Sequence, residues 1–169
     1  MTDLLVIAHN IRSTFNIGSI FRTADGLGVK EIILSGYTPY PTLPNDPRLP
    51  HLAAKQTKDI HKTALGAEAT VPFRVAEIPP FDELHRNGYT IVALEQAPDS
   101  VSLATYTPPE KVALLLGEEV SGIDATLLQA CDEVIEIPMK GQKESFNVSV
   151  ATGIALYELT RHSAPNVNH

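Results

Sequence analysis

Three short segments of the sequence combine glycine with polar side chains in patterns that could support chemistry. They are FNIGSIFRTADGLGV (15–29), LLLGEEVSGI (114–123) and GQKESFNVSV (141–150). Glycine allows a backbone to approach a ligand closely. Amide, hydroxyl and charged side chains beside it can bind and orient a substrate. Each segment also permits an ordinary structural interpretation.

In the first segment, a helical spacing of about 100° per residue places Gly18, Arg22 and Asp25 on the face opposite an apolar stripe. Arg22, one turn beyond a residue without a side chain, is then a candidate for binding a ligand. The structural alternatives are a surface pair between Arg22 and Asp25 and a role for Asn16 as an ordinary helix N-cap.

In the second segment, Gly117 directly follows an apolar strand, and Glu118 and Glu119 begin the next turn. A carboxylate there can accept hydrogen bonds from nearby backbone N–H groups. The segment is neither a phosphate-binding loop nor a G-x-S-x-G hydrolase elbow around Ser121. A solvated acidic turn is the alternative.

The third segment alternates polar and apolar residues before the apolar run ATGIALYEL. Ser145 or Asn147 could cap the helix that follows, which is the common use of such residues. That helix is apolar nearly all round, so we expect it and its entry to be buried. Buried polar groups need partners, and one cap accounts for one of the three polar side chains, which include Ser149.

The elements that must position these residues follow from six aliphatic runs, at 4–8, 29–34, 70–75, 89–94, 111–116 and 133–138. Several runs are apolar throughout, as expected of strands covered on both faces. Helical patterns at 16–28, 80–88, 123–131 and 147–162 separate some of them, which predicts an α/β fold with a largely parallel sheet. Such sheets bind ligands at the carboxyl ends of their strands, here the loops after 94, 116 and 138.

Composition predicts a single soluble domain of 169 residues without a metal site or disulfide framework, since Cys131 is the one cysteine. No apolar run is long enough to span a membrane and the N-terminus is not typical of a signal peptide, so we expect a cytoplasmic protein. The net charge of −7 is unusual for a nucleic-acid binder. Positive charge is concentrated in RLPHLAAKQTKDIHK (48–62), where a solvated helix face is the simpler interpretation.

Together the three segments resemble the ordered motifs of the SPOUT superfamily, in its SpoU/TrmH branch of RNA ribose 2′-O-methyltransferases. The matching residues are Asn16, Gly18, Ile20, Arg22, Thr23 and Ala24; Leu114, Gly117, Glu119 and Gly122; and Ile137, Pro138, Met139, Gly141, Ser145, Asn147, Val148, Ser149, Val150 and Ala151. The departures are Glu118 in place of Asn, Val120 in place of Gly, and Phe146 in place of Leu or Met. Val120 leaves the second loop's conformation open, because valine tolerates a positive φ poorly.

The resemblance implies a parallel α/β sheet whose C-terminal segment forms a deep trefoil knot. It also implies S-adenosylmethionine as cofactor, structured RNA as substrate with tRNA favoured over rRNA, and a homodimer whose active sites use both subunits. We expect residues 1–163 to form one catalytic domain and 164–169 a short flexible tail. The alternatives are a non-catalytic knotted RNA-binding homologue and an unrelated nucleotide-binding α/β protein.

Site residues carry over from the resemblance by position. The adenosyl pocket would be lined by Leu94, Gly117, Ile137, Met139, Ser145 and Phe146. The catalytic group would comprise Asn16, Arg22, Glu119, Ser145 and Asn147. RNA would be bound by Arg12, Arg48, Lys55, Lys58 and Lys62. In the family Arg22 engages the ribose and phosphate; because guanidinium hardly deprotonates, a clamp that polarises the hydroxyl suits it better than a base.

Overall fold

The computed structural model describes residues 2–161. These residues form seven strands and six α-helices, in the order β1 (Asp3–His9), α1 (Thr14–Gly26), β2 (Glu31–Ser35), α2 (Pro50–Ala64), α3 (Ala67–Thr70), β3 (Phe73–Ala76), α4 (Phe81–Arg86), β4 (Thr90–Leu94), β5 (Val101–Ser102), β6 (Lys111–Leu116), α5 (Ala125–Ala130), β7 (Glu133–Glu136) and α6 (Val148–Arg161). The strands form one sheet in the order β3-β2-β1-β6-β4-β7-β5. Every pairing in it is parallel.

Two cores cover the two faces of this sheet. Alternate residues of β1 point to opposite sides, so that Val6 belongs to the core under α1, α2 and α6, and Ile7 to the core under α4 and α5. Burial on both faces is the physical reason for the continuous apolar runs in the sequence. The predicted parallel α/β fold is confirmed.

The structure differs from the sequence prediction in small ways. The run predicted as a strand at 70–75 begins with the end of α3, and β3 starts after Pro72, at Phe73. Strand β5 has two residues, too short to leave a periodic pattern in the sequence. Gly18 does not open a path for Arg22, because it is buried where α1 meets α2. A side chain at Gly18 would collide with Thr63 Oγ1 and the backbone oxygen of Ile60.

Helix α6 and its entry are less buried than the sequence predicts. The prediction of a buried entry is wrong, because residues 141–147 are exposed. Leu156 and Leu159 pack into the core, whereas Val150, Ile154 and Tyr157 form an exposed apolar face. Within residues 2–161, no helix has the length and hydrophobicity to cross a bilayer. The tail predicted at 164–169 lies outside the described residues, and the knot stays a prediction.

Candidate active site

A cavity of about 490 Å³ lies at the carboxyl end of the sheet, between the segments that follow β4, β6 and β7. This is the edge where parallel sheets bind ligands. Five of the six residues predicted for a cofactor pocket line it, namely Leu94, Gly117, Ile137, Ser145 and Phe146. Met139 is half-buried and does not line the cavity. The three predicted ligand loops therefore converge on one space.

The turn after β6 forms one wall of this cavity. The backbone N–H of Glu118 donates to the backbone oxygen of Gly122 at 3.1 Å, and the backbone N–H of Gly122 donates to the backbone oxygen of Glu118 at 2.9 Å. Gly122 has a φ of 72°, which favours glycine. A Cβ at Gly117 would lie 2.6 Å from the Ile123 nitrogen. Val120 sits at the tip without a positive φ, so replacing the family's glycine there introduces no backbone strain.

Glu119 joins this turn to the start of α1. Its carboxylate accepts hydrogen bonds from the backbone N–H groups of Arg12 and Ser13, both at 3.3 Å, and from Asn16 Nδ2 at 3.2 Å. Partial burial by itself would raise the pKa of Glu119, but these hydrogen bonds and that from its own backbone N–H lower the pKa overall. Glu119 is therefore ionised at neutral pH and is committed to holding two segments together.

Asn147 extends this connection to the third segment. Its Nδ2 donates to Asn16 Oδ1 at 3.2 Å, while its Oδ1 accepts from the Ser149 backbone N–H at 2.9 Å. Asn147, not Ser145, therefore caps α6. The Glu119–Asn16–Asn147 chain of hydrogen bonds links all three motifs. Asn16 is not the N-cap of α1, because that role belongs to Ser13.

Arg22 is exposed on α1 and lies outside the cavity lining. The surface pair with Asp25 does not form; Asp25 instead accepts a hydrogen bond from Thr70 Oγ1 at 2.9 Å. Among the described residues, Arg22 makes no hydrogen bond or ion pair. Its guanidinium, with five donors, is available to an anionic ligand.

The predicted RNA-binding cations do not act as one group. Arg48 is 15% exposed and pairs with Asp46. It also donates to the backbone oxygen of Tyr40 at 2.8 Å, and its Cζ lies 3.6 Å from the centroid of the Tyr40 ring, on which the guanidinium stacks. It therefore holds the proline-rich segment 36–50 in place. A charge count along the sequence does not distinguish a cation that is engaged within the chain from one that is free, and the RNA-binding role of Arg48 stays a prediction.

The remaining cations of that set are exposed. Arg12 pairs with Glu118 at 2.8 Å. Lys55 and Lys62 share Asp59, at 3.3 and 2.7 Å. Lys58 is exposed and, within the described part of the chain, makes no ion pair. The charge available for phosphate therefore lies along the outer face of α2 and at the start of α1.

Two further residues, Glu95 and Gln96, line the cavity and were missed individually, although the loop after residue 94 was predicted to bind a ligand. Glu95 Oε2 accepts a hydrogen bond from the backbone N–H of Ile123 at 3.0 Å, and Gln96 Nε2 donates to the backbone oxygen of Glu144 at 2.8 Å. These two hydrogen bonds connect the loop after residue 94 to the loops after residues 116 and 138. Their position immediately after a buried strand was the available sequence indication.

Charge in the cavity is of one sign among the described residues: the lining holds no Lys, Arg or His. The acidic lining residues are Glu95, Glu118, Glu119, Glu136 and Glu144. Within residues 2–161, no three His, Cys, Asp or Glu side chains are grouped so as to hold a metal ion. The cavity therefore favours a ligand that carries positive charge over a phosphate-bearing nucleotide.

Residues 3–157 match the model of the SpoU rRNA Methylase family. The 23S rRNA (guanosine-2′-O-)-methyltransferase RlmB of Nitrosomonas europaea is 36% identical over 94% of this chain and 56% of its own length. The tRNA (guanosine(18)-2′-O)-methyltransferase of Aquifex aeolicus is 31% identical over 94% of this chain and 69% of its own length.

A bacterial methyltransferase of known structure has a similar fold. The AdoMet-bound rRNA methyltransferase of Sinorhizobium meliloti superposes with a TM-score of 0.79 at 29% identity, over 96% of this chain and 57% of that protein. The chain thus spans just over half the length of two of these three relatives.

Proposed function

Because this chain belongs to the SpoU rRNA Methylase family, we propose that it transfers a methyl group from S-adenosylmethionine to a ribose 2′-hydroxyl of a structured RNA. The observation that carries this proposal is the Glu119–Asn16–Asn147 chain of hydrogen bonds, which joins the three motif segments beside a cavity. Two of the relatives described above are named as RNA 2′-O-methyltransferases, one of rRNA and one of tRNA.

The residues around the cavity fit the proposed cofactor. Leu94, Ile137 and Phe146 offer apolar surface to an adenine ring, and the glutamates suit a sulfonium cation. When bound, S-adenosylmethionine supplies a methyl group that is already activated by the positively charged sulfur. We propose that Met139 contributes from the edge of this site and that Ser145 contacts the adenosyl group.

The protein's part in the reaction is to hold the ribose in line with the methyl group. We propose that Arg22 binds the phosphate beside the target ribose and polarises its 2′-hydroxyl, because an always-charged guanidinium is a clamp and not a base. Glu119 is committed to N–H donors and has a lowered pKa, so it is also a poor base. Its role is to fix Asn16 and the start of α1, which carries Arg22.

We further propose that the active form is a homodimer joined through the exposed face of α6, formed by Val150, Ile154 and Tyr157. Arg22 does not line its own chain's cavity, which agrees with a site completed by a second copy. For the substrate we favour tRNA over rRNA: of the three relatives named, the tRNA methyltransferase is the one most fully covered by this chain, at 69%.

The test is transfer of labelled methyl from S-adenosylmethionine to total tRNA and to rRNA, followed by mapping of ribose-methylated positions. We expect Arg22→Ala to abolish transfer while the calorimetric Kd for S-adenosylmethionine changes by less than about twofold. Arg86→Ala, which removes an exposed arginine from α4, is the matched control. Loss of cofactor binding in Arg22→Ala would refute the assignment of Arg22, and absence of transfer by the unmodified protein would refute the proposed function.

A further inference from the structure

An exposed aromatic ring lies beside the proposed active site. Phe15 is in the first turn of α1, directly before Asn16, and 49% of it is exposed. Single exposed apolar side chains are common on protein surfaces, so exposure alone does not indicate a partner. The residues around this ring do indicate one.

The backbone around Phe15 is held firmly. Its carbonyl oxygen accepts a hydrogen bond from Thr63 Oγ1 at 2.8 Å, and Gly18 lets α1 approach α2 closely. This contact brings Lys62 to the ring, with its Nζ 5.6 Å from the ring centroid. Lys62 also pairs with Asp59 at 2.7 Å. The ring is thus presented on a rigid support with a cation at its side.

Phe15 shares a face of α1 with Arg22. Seven residues correspond to about 700°, so the two side chains point within about 20° of each other, roughly 10 Å apart along the axis. Both are exposed. Stacked nucleotides advance by about 3.4 Å each. If Arg22 holds the phosphate of the target nucleotide, the ring lies within a few nucleotides of it.

A second exposed ring lies beside Arg12, which precedes α1. Tyr37 is exposed, and the Arg12 guanidinium lies 5.6 Å from its ring centroid. An exposed aromatic ring beside a cation is the arrangement by which proteins bind unpaired nucleotides: the base stacks on the ring and the cation attracts the phosphate.

We propose that Phe15 stacks on an unpaired base a few nucleotides from the target nucleotide, so that this side chain helps the enzyme to bind looped or single-stranded RNA in preference to regular duplex. In a duplex the base faces are already stacked on each other, and only a splayed base can present its face to a side chain. The inference rests on the proposed function and assigns to Phe15 a part in RNA binding at that site.

Kinetics give the first test. Replacing Phe15 with Leu keeps an apolar side chain and removes the ring, so we expect the KM for total tRNA to rise about tenfold with kcat within about twofold. Phe15→Tyr should restore the KM. An unchanged KM in Phe15→Leu would overturn the proposal. So would a change in its sedimentation coefficient, which would assign the ring to a contact between subunits.

Fluorescence gives a second test that does not depend on turnover. The chain has no tryptophan, so Phe15→Trp introduces a single reporter, and Ile78→Trp places one at an exposed site elsewhere. We expect a stem–loop RNA to quench the emission of the Phe15→Trp variant and a fully paired duplex of the same strand to leave it unchanged. The emission of the Ile78→Trp variant should respond to neither RNA. Equal quenching of the Phe15→Trp variant by the duplex would refute the inference. Absence of methyl transfer by the unmodified protein would refute the proposed function separately.

Discussion

The replacement Asn16→Asp tests the hydrogen bonds that join the three motifs. It preserves the shape of the side chain, but it replaces the Nδ2 donor with an oxygen 3.2 Å from Glu119 Oε1. The Asn147 bond to Oδ1 can persist, since that atom remains an acceptor. The change therefore acts mainly at the contact with Glu119, where two carboxylates would face each other.

The size of the effect follows from this distance. Two unit charges 3.2 Å apart repel by about 5 kcal/mol at an effective dielectric constant of 20 and by about 1 kcal/mol at that of water. Partial exposure of Glu119 favours a value near 2 kcal/mol. Loss of the hydrogen bond adds about 1 kcal/mol. We therefore expect the free energy of unfolding to fall by about 3 kcal/mol and the Tm by roughly 6 to 12 °C.

The destabilisation caused by Asn16→Asp should depend on pH. Repulsion raises the folded-state pKa of one carboxyl of the pair above its unfolded value, so the destabilisation is complete at high pH and shrinks as the pH falls through the raised pKa. In the unmodified protein the pKa of Glu119 is lowered, so its stabilising contribution holds above its ordinary pKa and is lost only as the pH falls through the folded-state value. The stability of the Asn16→Asp variant should therefore approach that of the unmodified protein as the pH falls to about 5.

Thermal unfolding by circular dichroism between pH 5 and 8 measures this difference. The matched control is Asn87→Asp, which adds the same charge at an exposed position at the end of α4. Methyl transfer should fall with the stability, since Asn16 adjoins the cavity wall. A Tm of Asn16→Asp within 1 °C of the control at every pH would refute the role given to this hydrogen bond.

Two further predictions concern surfaces of the molecule. Arg48→Ala should lower the Tm by roughly 4 to 8 °C, because it removes the packing and hydrogen bonds that hold segment 36–50. It should leave the salt dependence of RNA binding unchanged. Lys58→Glu should leave the Tm unchanged and reduce the slope of log K for RNA binding against log salt concentration by about 1. A reduced salt slope for Arg48→Ala would show that Arg48 binds RNA as first predicted. Tyr157→Glu should convert the proposed dimer to monomer in sedimentation experiments, with Ile78→Glu as the exposed control; a dimer that survives Tyr157→Glu would place the subunit contact elsewhere.

Much of the fold could be predicted because burial leaves a pattern in the sequence. Continuous apolar runs mark strands covered on both sides, and all six predicted runs contain strand residues. The order of the strands in the sheet, in contrast, could not be predicted from the sequence pattern. Strand β4 lies between β6 and β7, a neighbour relation between segments distant along the chain. No local pattern encodes which strand pairs with which, because that depends on packing of the whole sheet.

The candidate site shows the same division. Asn16, Glu119 and Asn147 could each be singled out by motif, and each also had an ordinary structural interpretation. Only the folded chain shows that they bond to one another across 131 residues of sequence. Asn147 combines both interpretations, since one atom caps α6 and another donates to Asn16.

Sequence alone thus determined the fold class, the family resemblance and the three segments that meet at the cavity, because residue type and spacing carry that information locally. Tertiary structure decided what each polar group faces. It paired the guanidinium of Arg48 with Asp46 while leaving Lys58 exposed, and it left Arg22 without a partner among the described residues. It also exposed a face of α6 that hydrophobicity alone assigned to the core. The physical reason is that charge and hydrophobicity belong to a residue, whereas burial and partnership belong to its surroundings.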